Sequence, residues 1–248
     1  MPTSASRPLA LLFDLDGTLV DSIDLLLAAF RHTFETHLGA APSDEEWIAG
    51  IGTPLVAQMR AFVSDEAMIE QMMRTYRAFQ REHHDLLLRE FDGVRDTLTL
   101  LKARGHPISL VTSKMNDLAY RALQYAALDA LVDDVVGFDS CARHKPEPEP
   151  VLIALDRLGY APNEAIFIGD SPHDISAGNA AGVISVAALW GPFSRTALEA
   201  ASPRYLLSNI RDLPALVDEI SRAKTRPSPA GGEPHGGRSE SAADRRVG

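Results

Sequence analysis

Apolar and polar positions along this chain follow two alternating periods. Five short runs rich in β-branched and aromatic residues read as strands: 9–15 (LALLFDL), 108–113 (ISLVTS), 135–138 (VVGF), 165–170 (AIFIGD) and 184–189 (ISVAAL). Helical spacing occupies 93–104, 118–128, 148–158 and 174–181 between them. Strand, helix, strand in repetition predicts an α/β fold: a Rossmann-like parallel sheet with helices on both faces. Such sheets bind ligands beyond the C-terminal ends of their strands.

One interval breaks this alternation. From residue 22 to about residue 91 no convincing strand is found. Ile23, Leu26, Leu27, Phe30 and Phe34 recur at helical spacing, and 54–63 and 66–88 read the same way. The expectation is a small all-helical cap domain, 22–91, inserted after the first strand of a core domain built from 1–21 and 92–221. The loops 20–22 and 90–93 are its expected hinges. From residue 227 the chain turns rich in Gly, Pro and Ser, and 222–248 is expected to be a disordered tail.

Composition narrows the class. With 248 residues, 45% hydrophobic and 23% charged, the chain can bury a sizeable core unaided. A single cysteine, Cys141, excludes an internal disulfide framework and argues against a Cys/His zinc site; no role is assigned to it. Residues 1–8 are polar, so no secretory signal is expected. No apolar run approaches ~20 residues, so no membrane span is expected either. A cytoplasmic protein, monomer or homodimer, follows as the expectation. The 24 Lys and Arg face 34 Asp and Glu, a net charge of −10. An acidic body is a poor nucleic-acid footprint, and any anionic substrate needs locally placed cations.

The candidate chemistry lies at the strand ends. The first strand ends in Asp14-Leu15-Asp16-Gly17, and side-chain alternation puts Asp14 and Asp16 on one side. Two such carboxylates repel unless a cation or a proton lies between them. Taken alone this is equally a solvated Asp-Gly turn. The second strand ends in Val111-Thr112-Ser113-Lys114, the third is followed by Lys145, and the fourth ends in Gly169-Asp170, with Asp174 four residues on. Acids, a hydroxyl and a lysine therefore converge on one crevice, an agreement that chance does not supply.

These residues resemble the haloacid dehalogenase-like phosphohydrolase superfamily, whose pattern is DxDG(T/V), a strand-terminal Thr or Ser, a Lys, then GD followed by D. The match runs from Leu9 to about Ile220 and is similar to the branch of phosphoglycolate phosphatases and bacterial pyrophosphatases. FDLDGTLVDS, IGTPL, YRAFQREHHDLL, EFDGV, VTSKMND, HKPEPEPV and FIGDSPHDI carry it. The resemblance implies that Asp14 is the nucleophile and Asp16 the general acid and base. It implies that Thr112, Ser113 and Lys145 hold phosphoryl oxygens. Mg²⁺ is then the cofactor, held by Asp14, Asp170 and the Asp16 backbone carbonyl, with Asp174 behind them or reaching the ion through water. The implied substrate is a small phosphorylated compound or pyrophosphate, 2-phosphoglycolate and inorganic pyrophosphate being the two candidates.

Departures sharpen this. Dehalogenases of the superfamily lack the second aspartate, which is present here as Asp16. Phosphonate-cleaving members use a cap lysine, and 22–91 contains none. Sugar-phosphate mutases place a histidine where this chain has Leu26. Within the cap, Gly52 and Thr53 of a Gly-rich break and His84 are candidate substrate contacts, while Gly50–Pro54 reads equally as a plain helix-to-helix turn. Two other classes remain open at this point. One is a phospho-accepting receiver-like domain, although such domains are about half this length and lack a cap. The other is a catalytically silent binding protein.

Overall fold

The computed structural model describes residues 7–225. Six strands form one parallel sheet: β1 (Ala10–Phe13), β4 (Ile108–Val111), β5 (Asp134–Val136), β6 (Ala165–Gly169), β7 (Ile184–Ala188) and β8 (Tyr205–Leu207). Their spatial order is β5-β4-β1-β6-β7-β8. The first strand is thus central, flanked by β4 and β6, with Phe13 in register with Leu110 on one side and Ile168 on the other. Chain order reverses direction across β1, which opens a crevice at its C-terminal end.

Continuous apolar runs suit strands covered on both faces. Leu11 and Phe13 point to one side, into a cluster with Leu98, Leu123 and Val217. Those partners come from α5 (Val94–Ala103), α6 (Asn116–Tyr125) and α10 (Leu213–Thr225). Ala10 and Leu12 point to the other side, against Val151, Leu155 and Ala177. These belong to α7 (Glu149–Leu158) and α8 (Pro172–Ala181). Alternation along a single strand therefore divides the core into two layers.

Between β1 and α5 lie four helices: α1 (Ile23–Leu38), α2 (Asp44–Ile48), α3 (Leu55–Arg60) and α4 (Glu66–Leu87). They own a separate core, in which Phe30, Phe34, Met59, Met72 and Tyr76 surround Trp47. Trp47 stacks on Phe30 with ring centroids 4.4 Å apart. No strand was expected from residue 22 to 91, yet Arg89–Glu90 (β3) pairs antiparallel with Val20–Asp21 (β2). Two-residue strands carry no readable periodicity; the pairing arises because the chain enters and leaves the helical layer side by side.

Other differences are local. β8, α2, α9 (Arg195–Ala200) and α10 were not anticipated individually. The third expected strand, 135–138, ends at Val136, and Phe138 begins a 3-10 turn. Residues 222–225, expected to start the tail, continue α10 because Leu213, Val217 and Ile220 anchor it to the sheet. The rest of that expected tail, 226–248, lies outside the described residues. Among the described residues no helix is long and apolar enough to cross a membrane.

Trp47 is the hub of the helical layer, and its replacement has a definite cost. Trp47→Ala is expected to destabilise the protein by about 3–5 kcal/mol in urea unfolding. Trp190, the second of two tryptophans, then reports the sheet separately. A loss below about 1 kcal/mol would show that this cluster does not hold the layer together.

Candidate active site

Three adjacent strand ends deliver the polar groups. Asp14 follows β1, Thr112 follows β4 and Asp170 follows β6, so the sheet order makes neighbours of residues far apart in sequence. All three are buried, as are Lys145 and Asp174.

Lys145 joins two of the acids. Its Nζ donates to Asp14 Oδ1 at 2.8 Å, to Asp174 Oδ1 at 2.6 Å and to the Val111 carbonyl at 3.3 Å. Burial alone would lower the lysine's pKa, but the two carboxylates raise it above the ordinary value, so the ammonium stays charged. Asp174 is fixed from its other end. Ser171 caps α8, its hydroxyl donates to Asp174 Oδ2 at 2.6 Å, and Pro172 takes the first helical position. Asp174 thus orients the lysine and is itself held by a capping box legible as S-x-x-D.

Asp170 is different. Thr18 Oγ1 donates to its Oδ1 at 2.6 Å, while its buried Oδ2 has no hydrogen-bond partner. Glycines allow this packing. A Cβ on Gly17, whose φ is +83°, would lie 2.5 Å from Asp170 Oδ2, and one on Gly191 would lie 2.3 Å from Asp170 Cβ. Burial, then Asp14 and Asp174, push the Asp170 carboxyl well above its usual range. Asp14 is pushed up to about 7, chiefly by burial and against the pull of Lys145.

Carboxylate oxygens of Asp14, Asp170 and Asp174 lie within 4.8 Å of one another. Three carboxylates facing one ammonium leave two negative charges to balance. An orphaned carboxylate oxygen among hard oxygen donors fits a divalent cation such as Mg²⁺. The group brings in Asp174 by its side chain; the Asp16 carboxylate lies outside it.

Asp16 has its own partners. Its Oδ1 accepts from Lys114 Nζ at 2.6 Å and from Ser22 Oγ at 2.6 Å. Lys114 is a site residue that the sequence reading passed over; its position directly after Thr112-Ser113 was the available signal. The Thr112 hydroxyl accepts from the Lys114 amide at 3.2 Å, leaving its own proton free to donate.

Above these groups lies a cavity of ≈ 90 Å³ roofed by the helical layer. Asp14, Asp16, Thr112, Ser113, Gly52 and Thr53 all line it. Ser113 Oγ donates to the Gly52 carbonyl at 2.6 Å, seating the roof on the sheet edge. The Thr53 hydroxyl is spent on the Gly50 carbonyl of its own turn. His84 does not line the cavity. It is buried at the end of α4 against the Tyr125 ring, with Nδ1 on Asp85 and Nε2 without a hydrogen-bond partner. Arg77 and Gln80 of α4 line the wall instead.

Two tests follow from the charge balance. Asp170→Asn removes a buried ionisable carboxyl whose Oδ2 has no partner, so the cation-free protein is expected to keep its stability or gain about 1–3 kcal/mol. The same variant is expected to lose the rise in Tm that Mg²⁺ gives the parent, as is Gly17→Ala. An unchanged rise in Asp170→Asn would remove this residue from the cation site. Because Asp14 sits at about 7, cation binding near pH 6.5 is expected to release protons. That share vanishes as the pH passes well above 7, where Asp14 is already ionised; calorimetry in buffers of different ionisation enthalpy reads it.

Comparison with known proteins agrees with this geometry. A family described as haloacid dehalogenase-like hydrolase matches residues 11–188. The pyrophosphatase PpaX of Bacillus pumilus is 37% identical over 206 residues, 83% of this chain and 94% of that protein. A haloacid dehalogenase-like family hydrolase from Streptococcus pneumoniae superposes with a TM-score of 0.74 at 26% identity, over 84% of this chain and 98% of that one. A predicted phosphoglycolate phosphatase from Haemophilus somnus, 24% identical over 85% and 98% of the two chains, gives 0.76 and shares the fold. With a family match over most of its length and its polar groups gathered where that fold places its chemistry, the chain belongs to the haloacid dehalogenase-like hydrolases.

Proposed function

We propose that this protein is a Mg²⁺-dependent phosphohydrolase working through an aspartyl phosphate, with inorganic pyrophosphate as first substrate candidate and 2-phosphoglycolate as second. The observation that carries this is the buried Asp14–Lys145–Asp174 chain beside the unpartnered Asp170 oxygen. That arrangement gives one carboxylate a fixed direction and an electrostatic setting for a phosphoryl group. The PpaX relatives favour pyrophosphate over the phosphoglycolate seen among more distant structural neighbours.

Asp14, Asp170 and the Asp16 backbone carbonyl would hold Mg²⁺, with Asp174 next to them. When bound, the ion supplies positive charge at the phosphoryl oxygens and keeps the carboxylates ionised. Lys145 holds Asp14 by one oxygen and neutralises the opposite side. The Asp14 carboxylate attacks phosphorus while the bond to the leaving oxygen breaks. Asp16 passes a proton to that oxygen. A water then attacks the aspartyl phosphate, Asp16 takes a proton from it, and the Asp14–phosphorus bond breaks to free phosphate. Lys114 and Ser22 hold Asp16 over the cavity, and the Thr112 hydroxyl is free to donate to a phosphoryl oxygen. Positioning and charge stabilisation supply most of the acceleration.

Phosphate release from pyrophosphate, 2-phosphoglycolate, sugar phosphates, nucleoside monophosphates and an aryl phosphate tests this. The expected result is release that depends on Mg²⁺, is abolished by chelator and is strongest for pyrophosphate. Asp14→Asn is expected to fall by at least about 10³-fold while remaining folded. Release from no substrate, or full activity in Asp14→Asn, overturns the reading.

A further inference from the structure

The α4 residues Met73, Tyr76, Arg77 and Gln80 follow helical i, i+3, i+4, i+7 spacing and share the cavity wall. Arg77 is peculiar among them. In a chain with ten more acidic than basic residues, arginines find partners easily. Among the described residues only Arg77 and Arg204 have guanidinium groups with no hydrogen bond, ion pair or ring contact. Arg204 is exposed to solvent; Arg77 is half-buried on the cavity wall.

One turn along, Gln80 strengthens the point. It is only 6% exposed, lines the same cavity, and its amide has no hydrogen-bond partner among the described residues. The amide and the guanidinium are therefore both open to the cavity and uncommitted to any protein partner, which leaves their donors available to a ligand there. The other cation on the wall, Lys114, is already engaged by Asp16. Leu26, Ile51 and Met73 line the same cavity with apolar surface, which strengthens any charge interaction formed there.

We propose that Arg77, assisted by Gln80, binds a second anionic group on the leaving-group side of the substrate, and so selects small phosphates that carry one. This rests on the hydrolase reading for its orientation: the reacting phosphoryl lies against Asp14 and Lys145, the second anion against α4. A distal phosphate and a carboxylate share the required chemistry, since a guanidinium pairs with either through two parallel N–H donors. Esters with neutral leaving groups make no use of the subsite.

Binding of three non-hydrolysable probes, measured by calorimetry with Mg²⁺ present, tests this. Methylenebisphosphonate offers a distal phosphonate, phosphonoacetate a carboxylate, and methylphosphonate neither. At least one of the first two is expected to bind the parent at least tenfold more tightly than methylphosphonate, and which one identifies the second anion. Arg77→Ala is expected to weaken that probe by roughly 10–100-fold, the worth of one charge-assisted hydrogen bond, with methylphosphonate within about threefold. Arg77→Lys should recover part of the loss, and Gln80→Ala should show a smaller loss of the same kind. Arg204→Ala changes net charge equally and is expected to change nothing. Equal loss for all three probes, no loss in Arg77→Ala, or no preference in the parent overturns the proposal. Phosphate release measured in parallel separates the two readings: an Arg77-dependent preference without turnover leaves the subsite and removes the hydrolase, while turnover without Arg77 dependence does the reverse.

Discussion

Lys145 is almost wholly buried between two carboxylates, with a third a few ångströms away, and much of the molecule is organised around keeping that arrangement tolerable. In a low-dielectric interior one ammonium cannot balance three carboxylates. Either protons or a divalent cation must make up the difference, which is why burial drives Asp14 and Asp170 upward despite the lysine. The backbone is shaped to permit this crowding. Gly17 and Gly191 leave room for the Asp170 side chain, and the Ser171 cap locks Asp174 from behind.

Four aspartates of similar sequence appearance are separated into roles by their partners. Asp14 is oriented by Lys145, Asp174 holds that lysine, Asp170 keeps an oxygen unused, and Asp16 answers to Lys114 and Ser22. The helical layer completes the division. It is tied to the sheet edge through Ser113 and Gly52, and at the end of α4 through Arg121 and Tyr125 on Asp85. Enclosure between these two seams leaves Asp14 buried beneath the helical layer and gives each charge in the cavity more weight.

Much of this was legible in the chain itself. Apolar runs such as ALLF and AIFIG are long enough to announce buried parallel strands, and helical spacing over 66–88 announced α4. Spacing also placed Asp14, Thr112, Lys145, Asp170 and Asp174 at or after strand ends, because a polar residue that closes or follows an apolar run is a local signal. β2 and β3 escaped it, since two residues carry no period. Lys114 escaped it because its partner, Asp16, is 98 positions away.

What the sequence determined alone, then, is the α/β alternation, the helical insertion and the roster of charged strand-end groups, all set by local periodicity and residue chemistry. Only the tertiary structure decided which acid meets which cation, that His84 packs on Tyr125 and is not among the residues lining the cavity, and that Arg77 and Gln80 line it without partners. Periodicity tells a residue which face of its helix or strand it occupies. The order of strands in the sheet and the seating of the helical layer decide what lies opposite that face. Those depend on long-range packing that no local window of sequence contains.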